Sequence, residues 1–215
     1  MNPRGFLIEN WREMLTLTGQ HLVLVLVSTS IAVLIGVPLG ILLSRHARLR
    51  SPVLSLANVM QTIPSLALFG LLIPLPLIGG IGARTAIVAL VLYSLLPVIR
   101  NTVTGIMGVD KNVREAAVAM GMTNAQILWQ VELPLAMSVI LTGVRVAVVI
   151  AVGVATIAAA IGAGGLGTYI FRGLRVLNND LILAGAVPAA LMALAADFCI
   201  GLLEKRFEVG ARLEN

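Results

Sequence analysis

Five apolar stretches dominate the chain: residues 22–44, 52–78, 85–99 with a continuation past Arg100, 135–160 and 181–203. Inside them only Arg145 and Asp197 introduce a charge. A helix crosses a bilayer with about 20 apolar residues, so a chain of 215 residues holds five or six crossings and no sizeable soluble domain. The fold class is therefore an all-α polytopic membrane protein with five transmembrane helices. Composition agrees, with 59% hydrophobic and 12% charged residues where a soluble domain carries about 25% charged. One cysteine, Cys199, excludes an intrachain disulfide, and with His21 and His46 it supplies too few donors for a tetrahedral zinc centre. Neither metal nor cofactor is expected.

Residues 1–20 place Arg4, Glu9, Arg12 and Glu13 among Phe6, Ile8, Trp11 and Leu15, which predicts a helix lying in the interface with Trp11 as anchor. The apolar run that follows is too long for a signal peptide and lacks a small-residue cleavage site. Residues 21–204 form the membrane domain, and 205–215 a polar tail. The basic residues sit between the apolar runs and not in one patch, which argues for topology signals and against nucleic acid. Arg45, Arg48, Arg50, Arg100, Lys111, Arg114, Lys205, Arg206 and Arg212 share one side; Arg4, Arg12, Arg84, Arg172 and Arg175 share the other. The positive-inside rule then puts the N-terminus outside and the tail in the cytoplasm. Neither Lys111 nor Lys205 follows a phosphate-wrapping glycine run, so any ATP is bound by another chain.

Residues 116–131 are uncharged but carry Asn124, Gln126 and Gln130, with Gly121 to Asn124 marking a turn. Two short helices are predicted here. Asp110 caps the first; Thr123 with Gln126 forms a capping box for the second, which ends before Pro134. The result is an amphipathic elbow over residues 108–134 on the cytoplasmic face.

This elbow reads Glu115-Ala116-Ala117, three residues, Gly121, nine residues, then Val131-Glu132-Leu133-Pro134. It resembles the EAA loop of the permease subunits of bacterial ABC importers. Gln61-Thr62-Ile63-Pro64-Ser65, Leu96-Pro97-Val98-Ile99-Arg100-Asn101-Thr102 and the glycine run 162–167 resemble the osmoprotectant branch of those permeases, which carries quaternary ammonium compounds. Lys111 departs from the branch, where Pro often follows the Asp. The resemblance implies a methionine-importer-like permease fold and a non-catalytic subunit of a bacterial inner membrane importer. Its expected solutes are glycine betaine, choline or carnitine. It implies three kinds of partner: ATP-binding cassette subunits, an extracytoplasmic substrate-binding protein, and a second permease copy or sister permease. Coupling to the ATPase would fall to Glu115, Ala116, Ala117, Gly121, Leu133 and Pro134. Physically, the alanines keep the first helix slim, Glu115 offers a carboxylate to an arginine, and Gly121 permits the turn. Met120, Met122, Ile127, Leu128 and Trp129 add adaptable apolar surface. On composition alone, an elbow resting on lipid headgroups fits equally well.

Gly162-Ala163-Gly164-Gly165-Leu166-Gly167 matches the dinucleotide pattern G-x-G-x-x-G, but it follows a membrane helix and not a strand. Gly162, Gly164, Gly165 and Gly167 are candidates for an outer gate where backbones approach closely; a simple helix stop is the alternative. In crossing four, Gly143, Ala147, Ala151, Ala155 and Ala159 form a small-residue stripe for helix packing, within the chain or across a dimer. In crossing two, Asn58, Gln61, Thr62 and Ser65 share a polar face beside the kink at Pro64. That face either lines a solute path or bonds neighbouring helices. Arg145 and Asp197 lie at similar depth and are a candidate ion pair, with snorkelling of Arg145 as the alternative. Nine aromatics, with Phe69, Tyr93, Tyr169, Phe171 and Phe198 scattered, form no visible cage for a quaternary ammonium, which points to recognition by a separate binding protein. A permease of the same fold for another small solute such as an amino acid, and a stand-alone secondary transporter, are the competing readings. The second has a single intramembrane acid and no inverted repeat in its favour. No constellation suited to an intramembrane enzyme is present.

Overall fold

Proline or glycine ends several helices of this chain, as at Pro64, Gly108 and Gly121. The computed structural model describes residues 10–213, and the side chains of residues 10–207. We number the helices α1 (Trp11–Arg45), α2 (Ala47–Thr62), α3 (Ser65–Leu72), α4 (Ala83–Met107), α5 (Lys111–Ala119), α6 (Asn124–Ile127), α7 (Leu133–Ala158), α8 (Gly167–Val176) and α9 (Asn179–Leu213). Among the described residues, four helical segments are long and apolar enough to cross a membrane alone, and the bent pair α2–α3 makes a fifth if it counts as one.

That bent pair departs from the expected single kinked helix. Pro64 disfavours the helical region for Ile63, which is extended at φ −68° and ψ 126°. The two halves meet at 101°, and α3 has only eight residues. Crossing two is broken, not kinked.

The N-terminal end also differs. Residues 1–9 of the expected interfacial helix lie outside the described residues; from Trp11 onward the segment is the start of crossing one, with no break near residue 20. Nothing between residues 11 and 22 stops a helix, and Glu13 holds the first turns upright. Its carboxylate accepts from Tyr169 Oη at 3.1 Å and from Arg172 Nη1 at 2.6 Å, both on α8. At the other end, the backbone of the expected tail continues α9 to Leu213.

The core forms around α4, which packs against α1 on one side and α7 on the other. Small residues set the spacing. A Cβ at Gly36 would stand 2.8 Å from Val98 Cγ1, one at Gly40 2.6 Å from Thr102 Cβ, and one at Gly143 2.7 Å from the Pro97 carbonyl. Ala147, Ala151 and Ala155 are fully buried, the latter two in one cluster with Leu24, Ala86, Ala89, Leu90 and Tyr93. The small-residue stripe of crossing four therefore packs within the chain. By contrast α2 buries no residue, and α9 leaves Leu183, Val187, Leu191, Leu194 and Phe198 exposed.

Candidate functional site

The elbow forms as its local signals dictate. Asp110 accepts from the Asn112 amide at 2.8 Å, and Thr123 with Gln126 completes a capping box. Gly121 takes φ +80° while its amide bonds the Val118 carbonyl and the Met122 amide bonds that of Ala117, a glycine stop that a residue with a Cβ adopts only at a cost. Ala117 and Ile127 face inward. Glu115 and Ala116 are exposed, as are Val113, Val118, Met120 and Trp129, a set of apolar side chains facing away from the bundle.

The second elbow helix was expected to end before Pro134; it runs on into α7 through a π-helical turn, Leu128–Glu132. Pro134 has no amide hydrogen for the Gln130 carbonyl, and the wider turn absorbs the missing bond by joining the Leu133 amide to the Leu128 carbonyl. The second elbow helix and crossing four are thus one continuous helical piece. Leu133 is buried at its foot and Pro134 is exposed. Glu132, which sequence reasoning did not single out, is 2% exposed and lies between two arginines. Arg45 Nη1 donates to its Oε1 at 3.1 Å while Arg45 Nη2 donates to Oε2, and Arg114 Nε stands 3.5 Å from Oε1. The motif spacing gave no sign of this, because Arg45 is 87 residues away.

The polar residues of crossing two divide by role. Pro97 cannot donate to the Tyr93 carbonyl one turn back, and Gln61 Nε2 fills that vacancy at 2.8 Å. Tyr93 Oη in turn donates to the Ile63 carbonyl that the helix break frees. Asn58 Oδ1 accepts from Arg100 Nη2 at 2.7 Å, and the Thr62 hydroxyl donates to the Val59 carbonyl at 2.8 Å. Gln61 and Asn58 therefore tie α2 to α4. Around the break an open cleft of about 350 Å³ remains, lined by Gln61, Thr62, Ser65, Tyr93, Ile150 and Val154.

At the far end of the bundle the glycine run packs against α1 of the same chain. Gly162, Gly164 and Gly165 have φ between +75° and +78°. The Gly165 amide donates to Gln20 Oε1 at 3.0 Å, and His21 is fully buried with Nε2 3.2 Å from the Val152 carbonyl. Among the described residues there is a helix before the glycines and no strand, unlike a dinucleotide fold.

Arg145 and Asp197 meet in a two-pronged contact, with Nε to Oδ1 and Nη2 to Oδ2 both at 2.6 Å. Glu204 joins them: its Oε2 lies 3.5 Å from Arg145 Nη1, and its Oε1 accepts from the Thr142 hydroxyl at 2.7 Å. Glu204 lies two turns beyond Asp197, and Thr142 three residues before Arg145, so helical spacing carried a signal for both. Gly201 leaves room for the guanidinium, whose Cζ is 3.4 Å from where a Cβ would stand.

Tyr169, on α8 and outside the spans, is buried beside Glu13, and burial together with that carboxylate pushes its phenol up to about 12. The neutral phenol is therefore favoured in the folded chain. Its stabilising effect is complete below pH 10 and is lost as pH rises toward 12. In a Tyr93→Phe variant, which leaves Tyr169 as the remaining tyrosine, phenolate absorbance should rise near pH 12; Glu13→Gln should lower the transition only in part, because burial, the larger cause, remains.

The profile of the family described as "Binding-protein-dependent transport system inner membrane component" matches residues 32–209. The carnitine transport permease protein OpuCB of Listeria monocytogenes is 44% identical over 94% of this chain and 91% of its own. The glycine betaine/carnitine/choline transport system permease protein OpuCD of Bacillus subtilis is 49% identical over 86% of this chain and 80% of its own. The osmoprotectant import permease protein OsmW of Salmonella typhimurium is 46% identical over 95% and 96%. Among solved structures, an inward-facing MetNI methionine ABC transporter matches with a TM-score of 0.82 at 23% identity, covering 96% of this chain and 99% of that one, which shows the fold. With a matched stretch that spans most of its length, the chain belongs to the family of binding-protein-dependent transport system inner membrane components.

Proposed function

We propose that this chain is the membrane-spanning subunit of an ATP-driven importer of osmoprotectants of the glycine betaine, choline and carnitine class. The observation that carries the reading is the elbow: a capped, slim helix with outward-facing Glu115 and Val118, turned at Gly121 into a second short helix that runs without a break into a crossing helix. Such a piece has the form of a lever seated in a partner. The relatives support the solute class, since OpuCB, OpuCD and OsmW are described as carnitine, glycine betaine/carnitine/choline and osmoprotectant permeases.

In this reading the N-terminus is outside and the elbow faces the cytoplasm, where an ATP-binding subunit hydrolyses ATP. A separate binding protein delivers the solute at the glycine end. A second permease, identical or sister, covers the faces of α2 and α9 that this chain leaves open. The cleft at Thr62 and Ser65 belongs to the path, and Gly162, Gly164, Gly165 and Gly167 form the outer gate, hinged on Gln20 and His21.

Co-purification tests the reading. Glu115→Lys and Gly121→Val should release the ATP-binding subunit or leave it hydrolysing ATP without uptake, while the chain still inserts. At Gly121 the cost is the left-handed backbone, about 1–2 kcal/mol, because a Cβ there meets nothing within 4 Å. Uptake by the wild-type chain with no ATPase present would overturn it.

A further inference from the structure

We propose that Glu132 is a positioning residue that fastens the elbow to the end of crossing one, so that a thrust on the elbow moves α1 and α7 as one body. The inference rests on the functional reading above and goes beyond it. The elbow is joined covalently to crossing three through residues 108–110 and to crossing four through the π-helical turn, but not to crossing one. Its link to α1 is made by side chains: the Arg45 guanidinium grips both carboxylate oxygens of Glu132 from the last turn of α1, and Arg114 approaches the same carboxylate from α5. Three helical elements converge on one buried anion.

A role in stability alone explains this arrangement poorly. A buried ion pair gives little net stability over apolar residues of similar volume, because removing two charges from water offsets most of their attraction. What it supplies is direction. A bidentate arginine–carboxylate contact fixes orientation as well as distance, whereas the apolar contacts nearby, Leu128 and Leu133 with Val37 and Ile41, can slide. The π-helical turn sets the aim. One residue more or fewer in a helix rotates what precedes it by about 100°, which would swing the elbow away from the orientation in which Glu132 meets both arginines.

The test uses the full importer, with its ATP-binding subunits and binding protein, in a Cys199→Ser background. Nitroxide labels at Leu42→Cys on α1 and Asn124→Cys on α6 report the distance between crossing one and the elbow, nucleotide-free and trapped with ATP and vanadate. Otherwise wild-type protein should show one distance in both states. Glu132→Gln should show a distance that changes or broadens on trapping. Its glycine betaine uptake per ATP hydrolysed should fall about tenfold, as expected for loss of one charge-assisted hydrogen bond. Should Glu132→Gln fail to insert, Arg114→Gln, which alters the half-exposed arm, should give a smaller change of the same kind. An unchanged distance and ratio in Glu132→Gln, or in Arg114→Gln if that variant carries the test, would overturn the proposal. Failure of unmutated protein to retain the ATP-binding subunit would instead overturn the functional reading.

Discussion

Alanine at Gly167 is expected to destabilise the chain by about 3 kcal/mol, the upper end for overpacking into a rigid site. A Cβ there would stand 1.8 Å from the Thr156 carbonyl oxygen and 2.9 Å from Ala159 Cβ. The closest neighbour is backbone of the last turns of α7, so no side chain can rotate aside. Either α8 lifts away from α7, undoing the contact of Tyr169 and Arg172 with Glu13, or the end of α7 unwinds. Gly19→Ala is the control, because a Cβ at that exposed helical site meets nothing within 4 Å and alanine favours helix by about 1 kcal/mol. Thermal unfolding in detergent, followed by size-exclusion chromatography, should show a markedly lower midpoint for Gly167→Ala and no loss for Gly19→Ala. Equal midpoints would mean that the glycine run is not held against α7.

The second large effect is expected at the charges inside the bundle. Asp197→Leu removes the carboxylate that holds Arg145 at two points and leaves it with Glu204 at 3.5 Å. An arginine that exchanges a two-pronged contact for one looser ion pair is poorly compensated at membrane depth, so the amount of inserted protein should fall. Arg145→Leu should do the same by leaving the carboxylates of Asp197 and Glu204 without the guanidinium they share. Exchanging the two residues, Arg145→Asp with Asp197→Arg, keeps one of each sign and should recover part of the loss. Quantitative blotting of membrane fractions reads this directly; a double variant no better than the worse single would show that the contact is incidental.

How far the sequence could be read depends on how local each interaction is. The caps of the elbow were legible because Asp110 bonds two residues away and Thr123 three. The turn at Gly121 was legible for the same reason. The break in crossing two was foreseen as a kink at Pro64, but its extent was not, since a kink and a break of 101° begin with the same missing bond. The run-on from elbow to α7 was misread because proline usually ends or begins a helix, and the compensating π-helical turn has no residue signature of its own. Charges at matching depth pointed to Arg145 with Asp197, and the additional Glu204 was overlooked although it shares the same face.

Hydrophobic runs, cap residues and glycine or proline positions, all acting over a few residues, determined from sequence alone that this chain is a bundle of membrane helices with a capped elbow. Tertiary structure alone decided which polar groups meet across the bundle. Glu132 finds Arg45 at a separation of 87 residues, and Gly165 finds Gln20 at 145. Gln61 covers the carbonyl that Pro97 frees. Such pairings follow from how helices rotate and settle against one another through small residues, and no spacing along the chain encodes that rotation.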